Sequence, residues 1–321
     1  MPSDFMRAVV YRSYGGPEVV TSAELPIPEP GPGRILVRVH ATSVNPLDFK
    51  IATGSFRPLL RARFPQVPGY DVAGEVVRCG PGVTGFASEA RVHAYLAQGG
   101  GAAEYVVTTA ADTARMPAGM DYVTAAGLPL AGMTALQGLR DAGGMPLQGA
   151  TQRVLVLGAS GGVGHLAVQI ARAAGATVIA VCSGKNRALV ESLGAHEVID
   201  YGVADAYRDL APCDIVLDCV GQPASSWLPR LGHRGCFVAL TPGPAIFLRS
   251  LGNWVGGTKV RPVFMKGNAA DLRVLDALVD AGRLRVVVDQ SFPLEQTRAA
   301  WERSMSGRTT GKLIVEVASS P

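Results

Sequence analysis

The 321-residue sequence contains no run of apolar residues long enough to cross a membrane, because no stretch approaches about 18 uninterrupted apolar positions. The N-terminal segment also lacks the basic stretch, apolar core and small-residue cleavage site of a secretory signal. These two absences predict a cytoplasmic protein without a membrane partner.

The sequence also has no block of basic residues. Its net charge of +4 at pH 7 is spread along the chain, and basic residues do not alternate with aromatic ones. This pattern argues against a nucleic-acid partner. The mild positive charge is compatible with a small anionic ligand. The five cysteines form no C-x-x-C pair, and four lie in or beside apolar strand-like runs, which predicts reduced thiols in the core.

The most informative feature of the sequence is a strand, a glycine turn and a helix in direct succession. VLVLGASGGVG, residues 154–164, is followed at once by an amphipathic helical pattern. Glycine lacks a Cβ atom, so the backbone turns sharply and a pyrophosphate can reach the N–H groups at the helix start. The sequence therefore predicts a dinucleotide site, although an ordinary strand-to-helix turn is the alternative. The predicted binding residues of the turn are Ser160, Gly161, Gly162 and Val163.

Further strand patterns follow this turn, and they alternate with helices. They lie near residues 177–183, 198–201, 214–221, 235–240 and 258–265. This order predicts a doubly wound parallel sheet whose ligand crevice lies at the carboxyl ends of the strands. Five residues at predicted strand ends are expected to flank a nicotinamide, with packing as the alternative: Val220, Leu240, Thr241, Phe264 and Met265.

The segment after the second of these strands indicates which dinucleotide binds. An acidic residue usually holds the ribose of NAD there, and this chain has none at that place. It has Ser183, Lys185 and Arg187 instead, which suit a 2′-phosphate through charge-assisted hydrogen bonds. The sequence therefore predicts NADPH as the cofactor. A solvated basic helix start is the alternative.

The pattern of the chain divides it into two domains. Short β-like runs dominate as far as residue 107, whereas helical spacing of alanine and leucine begins near residue 121. We expect a β domain at residues 1–124, completed by residues 266–321, and a dinucleotide domain at residues 125–265. A clear helical pattern near residue 268 and the last strand are expected to return the chain to the first domain, with the cofactor in the cleft.

Several motifs together resemble those of a known family. They are SVNPLDFK, PGYDVAGEVV, AAEYVV, AAGLPLAGMTALQGL, GASGGVG and FPLEQTRAAWERSMSGRTTGKLIVEV. Together they resemble the zinc-independent branch of the medium-chain dehydrogenase/reductases, the zeta-crystallin-like quinone oxidoreductase and enone reductase group. The resemblance implies an α/β protein with a GroES-like β domain and a Rossmann domain, NADPH as cofactor, and a homodimer.

The sequence departs from the zinc-dependent alcohol dehydrogenase branch. That branch has a zinc-binding Cys near the position of Asn45 and a His-Glu pair where this chain has Tyr70 and Asp71. Residues 83–120 contain no Cys, so the four-cysteine structural zinc cluster is also missing. Because zinc prefers thiolate and imidazole ligands at close spacing, we predict no metal.

The resemblance also assigns candidate roles to single residues. SVNPLDFK is similar to the segment that faces the nicotinamide in relatives, so Asn45 and Lys50 are candidate catalytic residues. Many members carry Tyr at the position of Lys50, and the lysine is expected to act electrostatically or as a proton donor. Tyr70 is a further candidate. The alternatives are a turn residue for Asn45, an exposed side chain for Lys50 and packing for Tyr70.

On the cofactor side, three more residues resemble family positions. Thr134 is similar to a residue that reaches the nicotinamide carboxamide, and Tyr201 to one near the adenosine phosphate. Lys312, in the closing Gly-Lys motif, is expected near the cofactor. For each of them, packing is the alternative.

Three functions are compatible with these observations. The first is an NADPH-dependent oxidoreductase that transfers hydride to a quinone or to the C=C bond of an α,β-unsaturated carbonyl, a small molecule that accepts hydride without a Lewis acid. The second is an enoyl-thioester reductase that acts on CoA-linked or carrier-bound chains. The third is a non-enzymatic NADPH-binding sensor or structural protein.

Overall fold

The computed structural model describes residues 4–55, 57, 63–241, 243–252 and 259–317. Over these residues the strands are β1 Phe5–Val10, β2 Thr21–Pro26, β3 Arg34–Val44, β4 Asp71–Cys79, β5 Arg91–Tyr95, β6 Tyr105–Thr109, β7 Thr113–Arg115, β8 Arg153–Leu157, β9 Thr177–Cys182, β10 Glu197–Asp200, β11 Cys213–Asp218, β12 Leu231–Ala239, β13 Lys259–Pro262, β14 Val288–Pro293 and β15 Lys312–Glu316. The α-helices are α1 Pro46–Ala52, α2 Tyr122–Ala126, α3 Pro129–Gln137, α4 Gly164–Ala174, α5 Arg187–Ser192, α6 Pro244–Leu251, α7 Ala269–Asp280 and α8 Thr297–Met305.

The chain forms two compact units, which differ somewhat from the predicted domains. The first contains residues 1–130, 267–276 and 286–321, and the second contains residues 131–266 and 277–285. The first unit therefore extends beyond the predicted boundary at residue 124, because α2 lies against β3 and β4. Residues 277–285 were expected in the first domain and group with the second unit instead.

The first unit contains a two-stranded sheet, β1-β2, and a seven-stranded sheet. The larger sheet has the order β14-β15-β3-β4-β5-β7, with β6 also paired to β3. The C-terminal strand β15 runs antiparallel to β3, with Leu313 opposite Val44 and Ile314 opposite Ser43. The prediction that the last strand returns to the first domain is confirmed by this pairing.

The core of the first unit is built from alternating strand residues and two helices. In β3, Ile35, Val37 and Val39 are fully buried on one face, as the period of two in a strand requires. Trp301 of α8 packs into the same cluster, with its ring centroid 6.2 Å from that of Tyr11. These contacts fix α8 beside the sheet that carries β15.

The second unit contains a six-stranded parallel sheet of order β10-β9-β8-β11-β12-β13. Residues 154–157 of β8 and 215–217 of β11 are continuous apolar runs, as expected for central strands of a sheet whose two faces are covered by helices. Leu155, Ile179, Val216 and Phe237 are fully buried in its core. The chain moves outward in one direction from β8 to β10 and in the other from β8 to β13, so the sheet is doubly wound as predicted.

One predicted strand is shorter in the structure. The sequence predicted a strand over residues 258–265, but β13 ends at Pro262, and residue 258 lies outside the described residues. Proline has no N–H group and therefore cannot continue the hydrogen-bond ladder as a donor. Phe264 and Met265 consequently lie in the connection that follows the strand.

The helices and the cysteines of the structure can be compared with the predictions of no membrane span and of reduced core thiols. Within the described part of the chain, no helix combines the length and the apolar character that a membrane span requires. The five cysteines are free thiols, and Cys182, Cys213 and Cys236 are buried. Burial raises the pKa of each of these three thiols, so they are protonated core residues at neutral pH.

Candidate functional site

The glycine turn in the second unit joins β8 to α4 at very short range. A Cβ atom on Gly164 would lie 2.1 Å from the carbonyl oxygen of Gly158, so only glycine fits at the first residue of α4. Gly158 itself has a φ of 74°, which disfavours other residues. These two positions bring the N-terminus of α4 close to the end of β8.

The N-terminal end of α4 is suited to an anion. The helix has 11 residues, and its first turn continues directly from the glycine turn, because His165 donates its N–H to the Gly161 carbonyl and Ala167 donates to the Val163 carbonyl. Ser160 is buried, whereas Gly161, Gly162 and Val163 are half-buried, so the turn is partly accessible. Together with the positive end of the helix dipole, this arrangement fits the pyrophosphate of a dinucleotide.

The loop after β9 carries the predicted 2′-phosphate residues. Ser183 is half-buried, whereas Lys185 and Arg187 are exposed. Arg187 lies 3.5 Å from Glu191, one helical turn further along α5. The Asn186 side chain donates a hydrogen bond of 2.8 Å to Ser160 Oγ, and so connects this loop to the glycine turn.

The structure places an acid beside this loop, although the sequence pattern showed none after β9. Asp200 is the last residue of β10 and pairs with Cys182, the last residue of β9. Its Oδ2 lies 2.3 Å from the position that a Cβ atom on Gly184 would occupy. The carboxylate thus reaches the loop from the neighbouring strand, which a search along the second strand alone misses. Tyr201, which follows it, is exposed.

Except for Thr134, which lies in α3, the remaining predicted cofactor residues of this unit follow the carboxyl ends of its strands. Val220 is 56% exposed and Phe264 is 62% exposed, which is unusual for side chains of this type. Thr241 is exposed, and Leu240, Met265 and Thr134 of α3 are half-buried. The edge of the sheet therefore presents apolar surface beside the glycine turn, where a Cβ atom on Gly158 would lie 2.4 Å from Val220 Cγ1.

In the first unit, the predicted residues Asn45 and Lys312 form one buried hydrogen-bonded network. Lys312 Nζ donates to Asn45 Oδ1 at 2.7 Å, and the two residues are 3% and 2% exposed. Asn45 Nδ2 donates to Asp71 Oδ2 at 2.8 Å, and the Ser43 hydroxyl donates to the same oxygen at 2.5 Å. The amide of Asn45 thus bridges a lysine and a carboxylate.

A second carboxylate, Asp48, lies next to this network. Asp48 Oδ2 accepts the Asn45 N–H at 2.8 Å, which caps α1, and Oδ1 accepts the Gly69 N–H at 2.7 Å. Burial, with a smaller contribution from the Asp71 charge, raises the pKa of Asp48 to about 7 against the opposing effect of these two donors and of Lys312. Sequence reasoning missed Asp48, Asp71 and Ser43 as parts of the site, although all three stand in the quoted motifs.

Burial also shifts the pKa of Lys312. Removal of the ammonium from water lowers the pKa of Lys312, and the carboxylates of Asp71 and Asp48 oppose this shift. The sequence reading assigned Lys312 to the cofactor only. The structure adds a partner in the first unit, Asn45, and contact of Lys312 with the cofactor stays a prediction.

The other two predicted catalytic residues have different surroundings. Lys50 lies in the last turn of α1 and is half-buried, so that desolvation lowers the pKa of Lys50. Tyr70 is buried directly before β4, and burial raises the pKa of Tyr70 well above its ordinary value. The tyrosine is therefore a neutral hydroxyl at any ordinary pH. The described part of the chain contains no cluster of three or more His, Cys, Asp or Glu residues that could hold a metal ion.

Comparison with known proteins gives the same picture over nearly the whole chain. The profile described as "Alcohol dehydrogenase GroES-like domain" matches residues 31–118, and that described as "Zinc-binding dehydrogenase" matches residues 193–315. The chain is 38% identical to the chloroplast envelope quinone oxidoreductase homolog of Arabidopsis thaliana, over 98% of this chain and 100% of that protein.

The chain belongs to the medium-chain dehydrogenase/reductase family. This medium-chain dehydrogenase/reductase is also 32% identical to the human NAD(P)H oxidoreductase RTN4IP1, mitochondrial, over 98% of the chain and 90% of that protein. The chain is also similar to the solved structure of the quinone oxidoreductase from Coxiella burnetii, with a TM-score of 0.84 and 30% sequence identity. The similarity covers 98% of this chain and 100% of that chain.

Family membership establishes the coarse identity of each unit. The first unit of this medium-chain dehydrogenase/reductase is a GroES-like domain, and the second is a Rossmann domain. The protein is an oxidoreductase of a nicotinamide-dependent family. The glycine turn before α4 fits that cofactor, because Gly158 and Gly164 allow the N-terminus of α4 to lie close against the end of β8.

Proposed function

We propose that this protein is an NADPH-dependent, zinc-independent reductase of quinones or of the C=C bond of α,β-unsaturated carbonyls. The observation that carries the proposal is the bridge from Lys312 through Asn45 to Asp71. Asn45 stands where the alcohol dehydrogenase branch carries a zinc-binding cysteine, and here its amide is engaged with a lysine and a carboxylate. A protein that works without a Lewis acid requires a substrate that accepts hydride readily, as an activated alkene or a quinone does.

The second unit supplies the residues that would hold the cofactor. The turn Ser160, Gly161, Gly162 and Val163 would receive the pyrophosphate at the N-terminus of α4. Lys185 and Arg187 are exposed beside that turn, and two cations favour a 2′-phosphate over a hydroxyl. When bound, the nicotinamide would supply the hydride. The remaining cofactor residues are proposed to be Thr134, Ser183, Tyr201, Val220, Leu240, Thr241, Phe264, Met265 and Lys312.

The first unit supplies the groups that would act on the substrate. Negative charge develops on the substrate oxygen when hydride adds to a quinone or to the β-carbon of an enone, and positioned donors stabilise that charge. We assign this role to Lys50, whose ammonium is half-buried and has a lowered pKa, which favours proton donation. Asn45 acts as a positioning residue, because its side-chain oxygen accepts from Lys312 and its nitrogen donates to Asp71.

A panel of hydride acceptors tests the proposed reaction. Consumption of NADPH is followed with quinones, short enones and enoyl-thioesters, using the wild-type protein, Lys50→Met and the control Lys259→Met. The control removes an exposed lysine of β13. We expect turnover of quinones or enones that falls at least about tenfold in Lys50→Met, a loss of about 1.4 kcal/mol in transition-state stabilisation. The control is expected to retain full turnover.

Two other results would overturn the proposal. Turnover of enoyl-thioesters alone would identify a thioester reductase. Tight NADPH binding without turnover of any compound would indicate a sensor or structural protein. A homodimer and a cytoplasmic location are further proposals, which sedimentation and cell fractionation test.

A further inference from the structure

The carboxylate of Asp200 occupies a defined place beside the loop that follows β9. Asp200 Oδ1 accepts the Gly202 N–H at 2.9 Å, which fixes the orientation of the side chain. Oδ2 then points at Gly184, where any Cβ atom would lie 2.3 Å from it. Glycine at position 184 therefore allows the carboxylate to approach the loop backbone.

The same loop is joined to the glycine turn. Asn186 donates to Ser160 Oγ at 2.8 Å, so the loop and the turn that would hold the pyrophosphate form one surface. In dinucleotide-binding Rossmann domains, the end of the second strand lies at the ribose of the adenosine, where an acid accepts hydrogen bonds from the ribose hydroxyls. Here β9 is that second strand, and its acid comes from β10.

Opposite charges meet at the end of β9. Burial raises the pKa of the Cys182 thiol, the nearby Arg187 cation opposes that shift, and the Asp200 and Glu191 anions add to it, so charges of both signs lie near this residue. Lys185 follows Gly184 in the same exposed loop. A group at the ribose 2′ position would therefore encounter one carboxylate, Asp200, and two cations, Lys185 and Arg187.

We propose that Asp200 is a specificity-determining residue that limits the preference of this protein for NADPH over NADH. The carboxylate accepts a hydrogen bond from the 2′-hydroxyl of NADH and repels the 2′-phosphate of NADPH, while Lys185 and Arg187 attract that phosphate. The proposal rests on the cofactor site of the proposed function. It makes cofactor choice a balance of charges that the loop sequence alone does not reveal.

Equilibrium binding of the two nucleotides tests this proposal without any substrate. Dissociation constants of NADPH and NADH are measured by calorimetric titration for the wild-type protein, Asp200→Asn and Asp205→Asn. Asparagine keeps an oxygen that accepts the Gly202 N–H, so the loop geometry is retained. Asp205 is an exposed acid in the connection that follows β10, and it forms an ion pair with Arg208. Its replacement removes one charge without touching Gly184.

We expect the ratio of the NADH to the NADPH dissociation constant to rise about tenfold in Asp200→Asn and to change by less than about twofold in Asp205→Asn. A second variant, Gly184→Ala, is expected to raise the ratio as well, because the added methyl group displaces the carboxylate. An unchanged or lower ratio in a folded Asp200→Asn protein would overturn the role of Asp200 alone. Failure of the wild-type protein to bind either nucleotide would overturn the proposed function as well.

Discussion

Lys312 Nζ lies 2.7 Å from Asn45 Oδ1, although the two residues are 267 positions apart in the sequence. The register of two strands explains this contact. Leu313 of β15 pairs with Val44 of β3, so the next antiparallel pair beyond it brings Lys312 opposite Asn45. Gly311, with a φ of 79°, allows the chain to enter β15 at this point. The buried lysine is thus placed by the strand that closes the fold.

Replacement of Lys312 by Met is expected to destabilise the protein. The variant leaves Asn45 Oδ1 without its donor and Asp71 without a neighbouring cation, and loss of a hydrogen bond to a charged group costs about 1.5–3 kcal/mol. Urea denaturation measures the free energy of unfolding. The control Lys259→Met, which removes the exposed lysine of β13, is expected to change it by less than about 0.5 kcal/mol. Equal effects of the two variants would show that the Lys312 contact contributes nothing.

The raised pKa of Asp48 predicts a specific dependence of stability on pH. Its ordinary value is 3.8 and its value in the folded protein is about 7, so the folded state retains this proton over the interval between them. The contribution of Asp48 to stability is therefore complete below about pH 4 and is lost as the pH rises through 7. Asp48→Asn removes this titration.

Urea denaturation at a series of pH values checks this expectation. Between pH 5 and 8, the wild-type protein should lose stability relative to Asp48→Asn, whereas Asp205→Asn should follow the wild-type curve. Parallel curves for wild type and Asp48→Asn would mean that Asp48 does not titrate in this range.

Gly164 is expected to tolerate no side chain. In Gly164→Ala the methyl group would lie 2.1 Å from the Gly158 carbonyl oxygen, so α4 must move away from β8. Overpacking of this kind costs about 1–3 kcal/mol, and the displaced helix should also bind NADPH more weakly. Denaturation and nucleotide titration measure both effects. Gly119→Ala serves as the control, because its added methyl group would meet open space, and it should have wild-type stability and wild-type NADPH affinity. Wild-type values for Gly164→Ala as well would show that the close approach of α4 to the Gly158 carbonyl is unimportant.

Lys185 and Arg187 are expected to select the phosphorylated cofactor. The double variant Lys185→Ala/Arg187→Ala should weaken NADPH binding about tenfold or more and NADH binding less than about twofold, because only NADPH carries the dianion. The control, Arg234→Ala/Lys259→Ala, removes two exposed cations elsewhere on the second unit. Equal weakening of both nucleotides by the loop variant would refute this assignment.

Local patterns in the sequence were sufficient to predict the dinucleotide domain. The turn from β8 to α4 is specified by glycines within eleven consecutive residues, and the neighbouring strands β8 and β9 are almost wholly apolar runs. The zinc-ligand positions of the alcohol dehydrogenase branch could be compared with this chain, because the motifs SVNPLDFK and PGYDVAGEVV identify the equivalent residues Asn45 and Tyr70. For these features, the residues that determine the structure are neighbours in the chain.

The remaining parts of the site depend on strand pairing, which a single sequence does not reveal. The contact of Lys312 with Asn45 follows from the register of β15 on β3. Asp200 reaches the loop after β9 because β10 lies next to β9, whereas the sequence rule examines only the strand that precedes the loop. The end of β13 at Pro262, by contrast, has a cause that stands in the sequence, because proline cannot donate to the ladder.

Turnover by metal-depleted protein is the most direct test of the central claim, that hydride reaches an activated alkene or quinone without zinc. The protein is dialysed against a chelator, its metal content is determined by elemental analysis, and NADPH oxidation is followed with the best acceptor of the panel. We expect the same rate before and after dialysis, with far less than one zinc per chain and no gain when zinc is added. Loss of turnover on chelation, with recovery on addition of stoichiometric zinc, would contradict it.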